Sequence, residues 1–228
     1  MRYLASFLFV LIFMTSATSQ TYEVGLMLGG SNYIGDVGKT TYIAPNDIAV
    51  GAIGKWNRSK RHAFRASFLY AEFNADDANG DERRKARGLS LSNSVKELSA
   101  GLEFNFWDWY LYDGTPQFTP YLYTGVTVFN YGAKAIDVND DSVIKTYENR
   151  WNFAIPMVVG IKKTLGRRFV LGAEIGARYT FTDNLDGSNP GEGFEQNKFG
   201  NLDNNDWYVF TGITLSYTWG RIPCLCAF

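Results

Sequence analysis

The chain has 228 residues, is 46% hydrophobic and 16% aromatic, and its 22 Lys and Arg nearly balance 23 Asp and Glu. That apolar content excludes disorder, and near-neutral charge without a dense basic run excludes an electrostatic nucleic-acid binder. Two Cys and one His exclude a disulfide-rich scaffold and argue against His-based metal or triad chemistry.

Arg2, the apolar run at residues 4–14 and the small residues 15–19 read as a secretory signal peptide, residues 1–19, with cleavage near Ser19/Gln20. The run is too short to span a bilayer. An N-terminal anchor is the alternative, and the lack of Cys near the cleavage site disfavours a lipoprotein.

After residue 20, period two takes over. Tyr22, Val24, Leu26 and Leu28 alternate with Glu23, Gly25, Met27 and Gly29. The same alternation returns near residues 48–56, 64–71, 98–106, 122–129, 152–162, 169–181 and 209–218. These are eight predicted strands, each of about the 9–11 residues that a tilted strand needs to cross a bilayer. Soluble strands are usually about half that length. The connections at 36–47, 74–89, 132–150 and 183–206 are long, those at 57–61 and 164–167 short, and 107–117 intermediate. Long and short connections on alternate sides match long extracellular loops and short periplasmic turns.

Three folds compete for this pattern: a transmembrane barrel, a soluble lipocalin-like barrel and a β-sandwich. One face of each strand is nearly all apolar; the other is Gly, Ser, Thr, Asn and a few charges. A soluble barrel would carry a charged outer face, so the pattern favours an apolar face toward lipid and a narrow polar lumen. Aromatics near strand ends (Trp56, Tyr70, Trp107, Trp109, Tyr131, Trp151, Tyr179, Phe181, Trp207, Tyr217 and Trp219) read as interfacial girdles. The fold expected is all-β: an eight-stranded antiparallel transmembrane β-barrel over residues 20–219, a tail at 220–228, and both mature termini periplasmic.

The predicted lumen holds Glu23, Lys55, Arg65, Glu103, Glu174 and Arg178. Unpaired charges there would be costly, so they are expected to pair. A gate or narrow ion path is one reading; a salt-bridged plug that fixes barrel shape is the favoured one. His62, beside the 57–61 turn, reads as a surface residue; with no GxSxG motif, no catalytic residue is assigned. The charged run at 76–87 and the acidic runs at 139–141 and 183–206 read as solvated external loops; the last two could suggest calcium, but 183–206 does not match a calcium loop, and no metal or cofactor is expected. Cys224 and Cys226 in the tail are either partner-directed thiols or unremarkable tail residues. In the central turn, Trp109, Tyr110, Tyr112 and Asp113 combine aromatic anchors with a turn, which suits partner docking; the alternative is that they belong to the inner girdle.

Residues 22–36 (YEVGLMLGGSNYIGD), 117–129 (QFTPYLYTGVTVF) and 154–162 (AIPMVVGIK) resemble PorG-like proteins of Bacteroidetes. The resemblance implies a barrel of the OmpA/OmpX-like up-and-down meander type in the cell outer membrane. It further implies a non-enzymatic component of the type IX secretion system, docking a periplasmic ring of a PorK-like lipoprotein and a PorN-like protein. Outer-membrane lipids are the other expected contact, with no small-molecule substrate. A small barrel acting through its external loops, in adhesion, surface defence or as a narrow pore, is the alternative.

Overall fold

A computed structural model describes residues 21–111, 114–137, 140–190, 198–201 and 205–220. The segment expected to be a signal peptide, its expected cleavage site, Tyr112, Asp113, Cys224 and Cys226 lie outside the described residues. Eight antiparallel strands form a closed meander: β1 (Thr21–Ile34), β2 (Asp47–Asn57), β3 (His62–Asp76), β4 (Ser90–Asn105), β5 (Phe118–Asp137), β6 (Asp140–Leu165), β7 (Phe169–Thr180) and β8 (Trp207–Gly220). Each strand pairs with its sequence neighbours, and β1 pairs with β8 to close the ring.

The faces fall as the alternation predicts. In β1, Val24, Leu26 and Leu28 are exposed while Glu23 and Met27 are buried. Every strand repeats this, with Phe68, Leu98, Val126, Val159 and Ile213 pointing outward. A continuous outward apolar belt on a closed barrel is the surface of a protein solvated by lipid. Aromatic rings gather at its turn end, where Tyr22 stacks on Trp219 (6.0 Å) and Trp56 meets Phe64 (5.4 Å). At the loop end, Tyr179 contacts both Phe181 (5.5 Å) and Trp207 (5.0 Å). Trp109 and Tyr131 leave the expected girdle, because both are buried.

Three expectations need correction. The connection at 132–150 is not a long irregular loop: β5 runs on to Asp137 and β6 starts at Asp140. Their pairing continues past the barrel wall through two register shifts, between Ala133 and Lys134 and between Ile136 and Asp137. The connection at 74–89 holds a 3₁₀ turn (Asp77–Asn79) and a short helix, α1 (Glu82–Arg87). Asp81 caps α1 by accepting from the Arg84 N–H, and Gly88 ends it with a left-handed φ of 72° that favours glycine.

The third correction concerns the lumen, which is polar only in its turn-side half. Toward the loop end, inward positions carry Phe73, Phe129, Tyr208 and Phe210, packed at 5.3–6.3 Å. They belong to a core with Met27, Ile53, Leu69, Leu91, Ile144 and Leu185. The narrow ring forces inward side chains together, so apolar ones coalesce there as in any protein interior.

Glycines make the room. A Cβ at Gly160 would lie 2.5 Å from Cζ of Tyr121, whose ring therefore occupies the space a side chain would fill. Gly160→Ala is expected to displace Tyr121 and destabilise the barrel by about 1–3 kcal/mol, the usual range for overpacking. Urea unfolding followed by Trp fluorescence measures it; an unchanged midpoint would mean Tyr121 can move freely.

Candidate functional site

The lumen buries all six residues expected there, five of them in one turn-side layer and Arg178 in the layer above. β4 supplies Glu103, reached by Lys55 of β2 at 2.7 Å and Lys162 of β6 at 2.6 Å, with Arg65 of β3 at 3.8 Å. Arg65 turns its fork to Glu174 of β7, donating from Nη1 and Nη2 at 2.7 Å each. The Tyr121 hydroxyl also donates to Glu174. Glu23 accepts from Asn57 Nδ2 at 2.8 Å. One level toward the loops, Arg178 meets Glu97 at 2.9 Å, and Glu97 also accepts from the Tyr208 hydroxyl at 3.0 Å.

Four carboxylates (Glu23, Glu97, Glu103, Glu174) therefore face four cations (Lys55, Arg65, Lys162, Arg178), all of them buried. In a low-dielectric ring this balance removes most of the cost of burying any single charge. Glu97 and Lys162 were missing from the sequence-based set. Lys162 is visible on the polar face of β6, yet its partner is 59 residues away. Glu97 precedes the alternating run used to place β4, and its partner is 81 residues away.

The two ends of the lumen are closed differently. At the turn end, the segment after β4 folds under the barrel. Trp109 is buried, packs with Leu111 and Val170, and lies 4.7 Å from Lys162 Nζ. It is held by its backbone N–H donating to the Lys60 carbonyl at 3.1 Å. Trp109 thus seals the lumen and leaves the proposed docking face, a correction that follows from its burial. Among the described residues, the surface exposed here includes Lys60, Arg61, Asp108 and Tyr110. Arg61 Nε reaches Asp108 at 2.7 Å, and Lys60 Nζ sits 4.5 Å above the Tyr110 ring. Exposed pairs of this kind contribute little stability, so they are free to serve recognition. His62 is exposed at the start of β3, against Phe104 and 3.4 Å from Ser59 Oγ.

At the loop end, the described residues of three connections and of the β5–β6 arm form a lid. The acidic segments expected to be solvated are instead partly buried here, because their carboxylates collect backbone N–H groups. Asp77 is fully buried and accepts from Gly38, Leu89 and Arg87. Burial pushes its carboxyl up, but Arg87 and the two N–H groups outweigh that and hold it below the ordinary value. Asp186, also fully buried, accepts from the Asp36 and Ser188 N–H groups at 2.9 and 2.8 Å. Asp206 accepts from the Leu185 N–H at 2.9 Å and from the Tyr33 hydroxyl. Leu185 is buried in the core beneath, and Asn93 Nδ2 donates to its carbonyl at 2.7 Å.

Among the described residues, no group of three or more His, Cys, Asp or Glu side chains is placed to hold a metal ion. No helix among them is long and apolar enough to cross a membrane, which says nothing of a crossing by strands.

A family described as "Domain of unknown function (DUF6089)" matches residues 2–228. Comparison with curated proteins finds no match. Among solved structures, the chain is similar to Ail of Yersinia pestis, the attachment invasion locus protein, solved with the heparin analogue sucrose octasulfate (11% identity, 89% of this chain and 100% of that one, TM-score 0.47). It is also similar to Neisserial surface protein A (8% identity, 89% and 98%, TM-score 0.47). A third is the outer-membrane protein OprG of Pseudomonas aeruginosa (8% identity, 90% and 97%, TM-score 0.45).

Proposed function

The chain belongs to the DUF6089 family, and we propose that it is a sealed outer-membrane barrel that works as a membrane-seated anchor for a periplasmic partner. The observation that carries this is that the described residues fill the lumen at each level. Trp109 closes the turn end, paired charges and aromatic rings fill the middle, and the lid covers the loop end. A barrel so filled conducts no protein and no hydrated solute, which leaves its surfaces to act. Its outward apolar belt supports placement in a bilayer, and a β-barrel in a bacterial envelope belongs in the outer membrane.

The short turns are read as periplasmic, with Lys60, Arg61, Asp108 and Tyr110 as the docking face; Tyr and Arg are enriched among interface hot spots. The resemblance of residues 22–36 and 117–129 to PorG-like proteins supports the finer reading. In it the partner is the ring of a PorK-like lipoprotein and a PorN-like protein, and the process is type IX secretion without enzymatic activity. The structured lid favours a second reading, in which the loop end binds a partner outside the cell.

Deletion of the gene is expected to stop cargo secretion while other barrels still assemble. A Lys60→Ala/Tyr110→Ala variant is expected to lose most ring protein on co-purification, yet keep the heat-dependent gel mobility of a folded barrel. Normal secretion in the deletion strain would end the anchor reading. Secretion that depends on lid substitutions but tolerates the turn variant would favour the second.

A further inference from the structure

The lid concentrates negative charge in an unusual way. Asp36 follows β1, while Asp183, Asp186 and Asp206 lie in the connection before β8. Asp186 and Asp206 are buried; Asp36 and Asp183 are half-buried. Asp36, Asp183 and Asp206 border one cavity of about 460 Å³ with Arg84 and Tyr179. Among the described residues, none of the four carboxylates forms an ion pair.

The cations packed nearby are committed elsewhere. Arg84 donates to the Gly35 and Gly38 carbonyls. Arg87 pairs with Asp77 and donates to the Asp36 carbonyl. Lys134 of the β5–β6 arm donates to Thr146 at 2.7 Å. Among the described residues, the other titratable groups facing the cluster are tyrosines: Tyr33 of β1 on Asp206, Tyr179 of β7 on Asn205 and Tyr147 of β6 on Asn184.

We propose that this carboxylate cluster makes the lid a proton-dependent latch, tight while the cluster is protonated and loosened as its protons leave. Like charges confined in a half-buried cavity cannot all ionise cheaply. Their bonds to backbone N–H groups tie the connection after β1 to the connection before β8, so repulsion among them strains the lid itself.

Burial and the neighbouring Asp186 and Asp36 charges push the Asp183 carboxyl up from 3.8 to about 7. Burial and Asp186 likewise raise Asp36, and raise Asp206 well above the ordinary value. A carboxyl whose closed-lid value exceeds its open-lid value binds its proton more tightly when the lid is closed. Protons therefore favour closure. The closed state is strongest in acid and weakens as pH rises to about 7, the value to which Asp183 is pushed.

The test is hydrogen–deuterium exchange on the full-length barrel in lipid vesicles, corrected for intrinsic exchange, read at the Leu185 and Ser188 amides. Opening is expected to rise with pH toward about 7, by up to about tenfold per pH unit for each raised carboxyl that loses its proton. Asp183→Asn and Asp206→Asn should each flatten that rise, with the heat-dependent gel shift confirming a folded barrel. A flat profile in the parent protein, a rise toward acid, or an unchanged slope in both variants would each overturn the latch.

Discussion

Replacing Glu103 with Gln is expected to cost about 3–5 kcal/mol of barrel stability, the range for removing one partner of a buried ion network. Glu103 is fully buried and holds two ammonium groups within 2.7 Å, with the Arg65 guanidinium at 3.8 Å. The amide keeps the shape and loses the charge. Lys55, Lys162 and Arg65 would then face only Glu174 and Glu23, and Glu174 already carries a two-pronged bond from Arg65. The double variant Glu103→Gln/Lys162→Met restores the balance of charge and should recover part of the loss, because the two sites are coupled through direct contact. Urea unfolding in lipid vesicles gives both numbers. A single-variant loss under about 1 kcal/mol would mean water or backbone rearrangement takes over the role of Glu103.

The second large effect lies on the opposite face of the wall. Leu26→Arg, at the middle of β1, is expected to cost about 2–4 kcal/mol, as for a cation at the bilayer midplane. Leu26 is 70% exposed, and Tyr42 in the first connection is 73% exposed. Equal exposure makes the comparison informative. If water surrounded both, both substitutions would fall within about 0.5 kcal/mol of the parent. With lipid around Leu26 and water around Tyr42, Leu26→Arg fails badly and Tyr42→Arg is neutral. The measurement is the same unfolding midpoint, and near-equality of the two variants would remove the lipid from this account.

The strands were legible because a barrel wall imposes one requirement everywhere. Each residue faces either lipid or lumen, so hydrophobicity alternates along every strand, as from Tyr22 to Leu28. Glycine-rich inner faces also announced the narrow ring. What the sequence does not display is partnership across that ring. Arg65 and Glu174 are 109 residues apart, and nothing local to either says which acid meets which base. Lys162 stands beside Lys163, yet only the first points inward to Glu103. The lid was misread for a related reason. Asp77 and Asp186 sit in runs that look solvated, but their burial depends on backbone N–H groups from distant connections. Trp109 reads either as a docking anchor or as a girdle ring, because a tryptophan in a turn carries no local mark of the lysine it will cover.

The bonds that tie the lid across the junction of β1 and β8 also bear on how the ring is joined. These strands are the first and last of the meander, so their pairing closes the longest loop in the chain. Their ladder alone is forgiving: a slip of two residues would still place apolar side chains outside. It would, however, move Tyr33 about 7 Å along the strand relative to Asp206, and Asp36 away from Asp186 by a similar distance. Only the native alignment completes both contacts. The lid is then a proofreader of assembly, rewarding a barrel whose two ends have met in the correct frame.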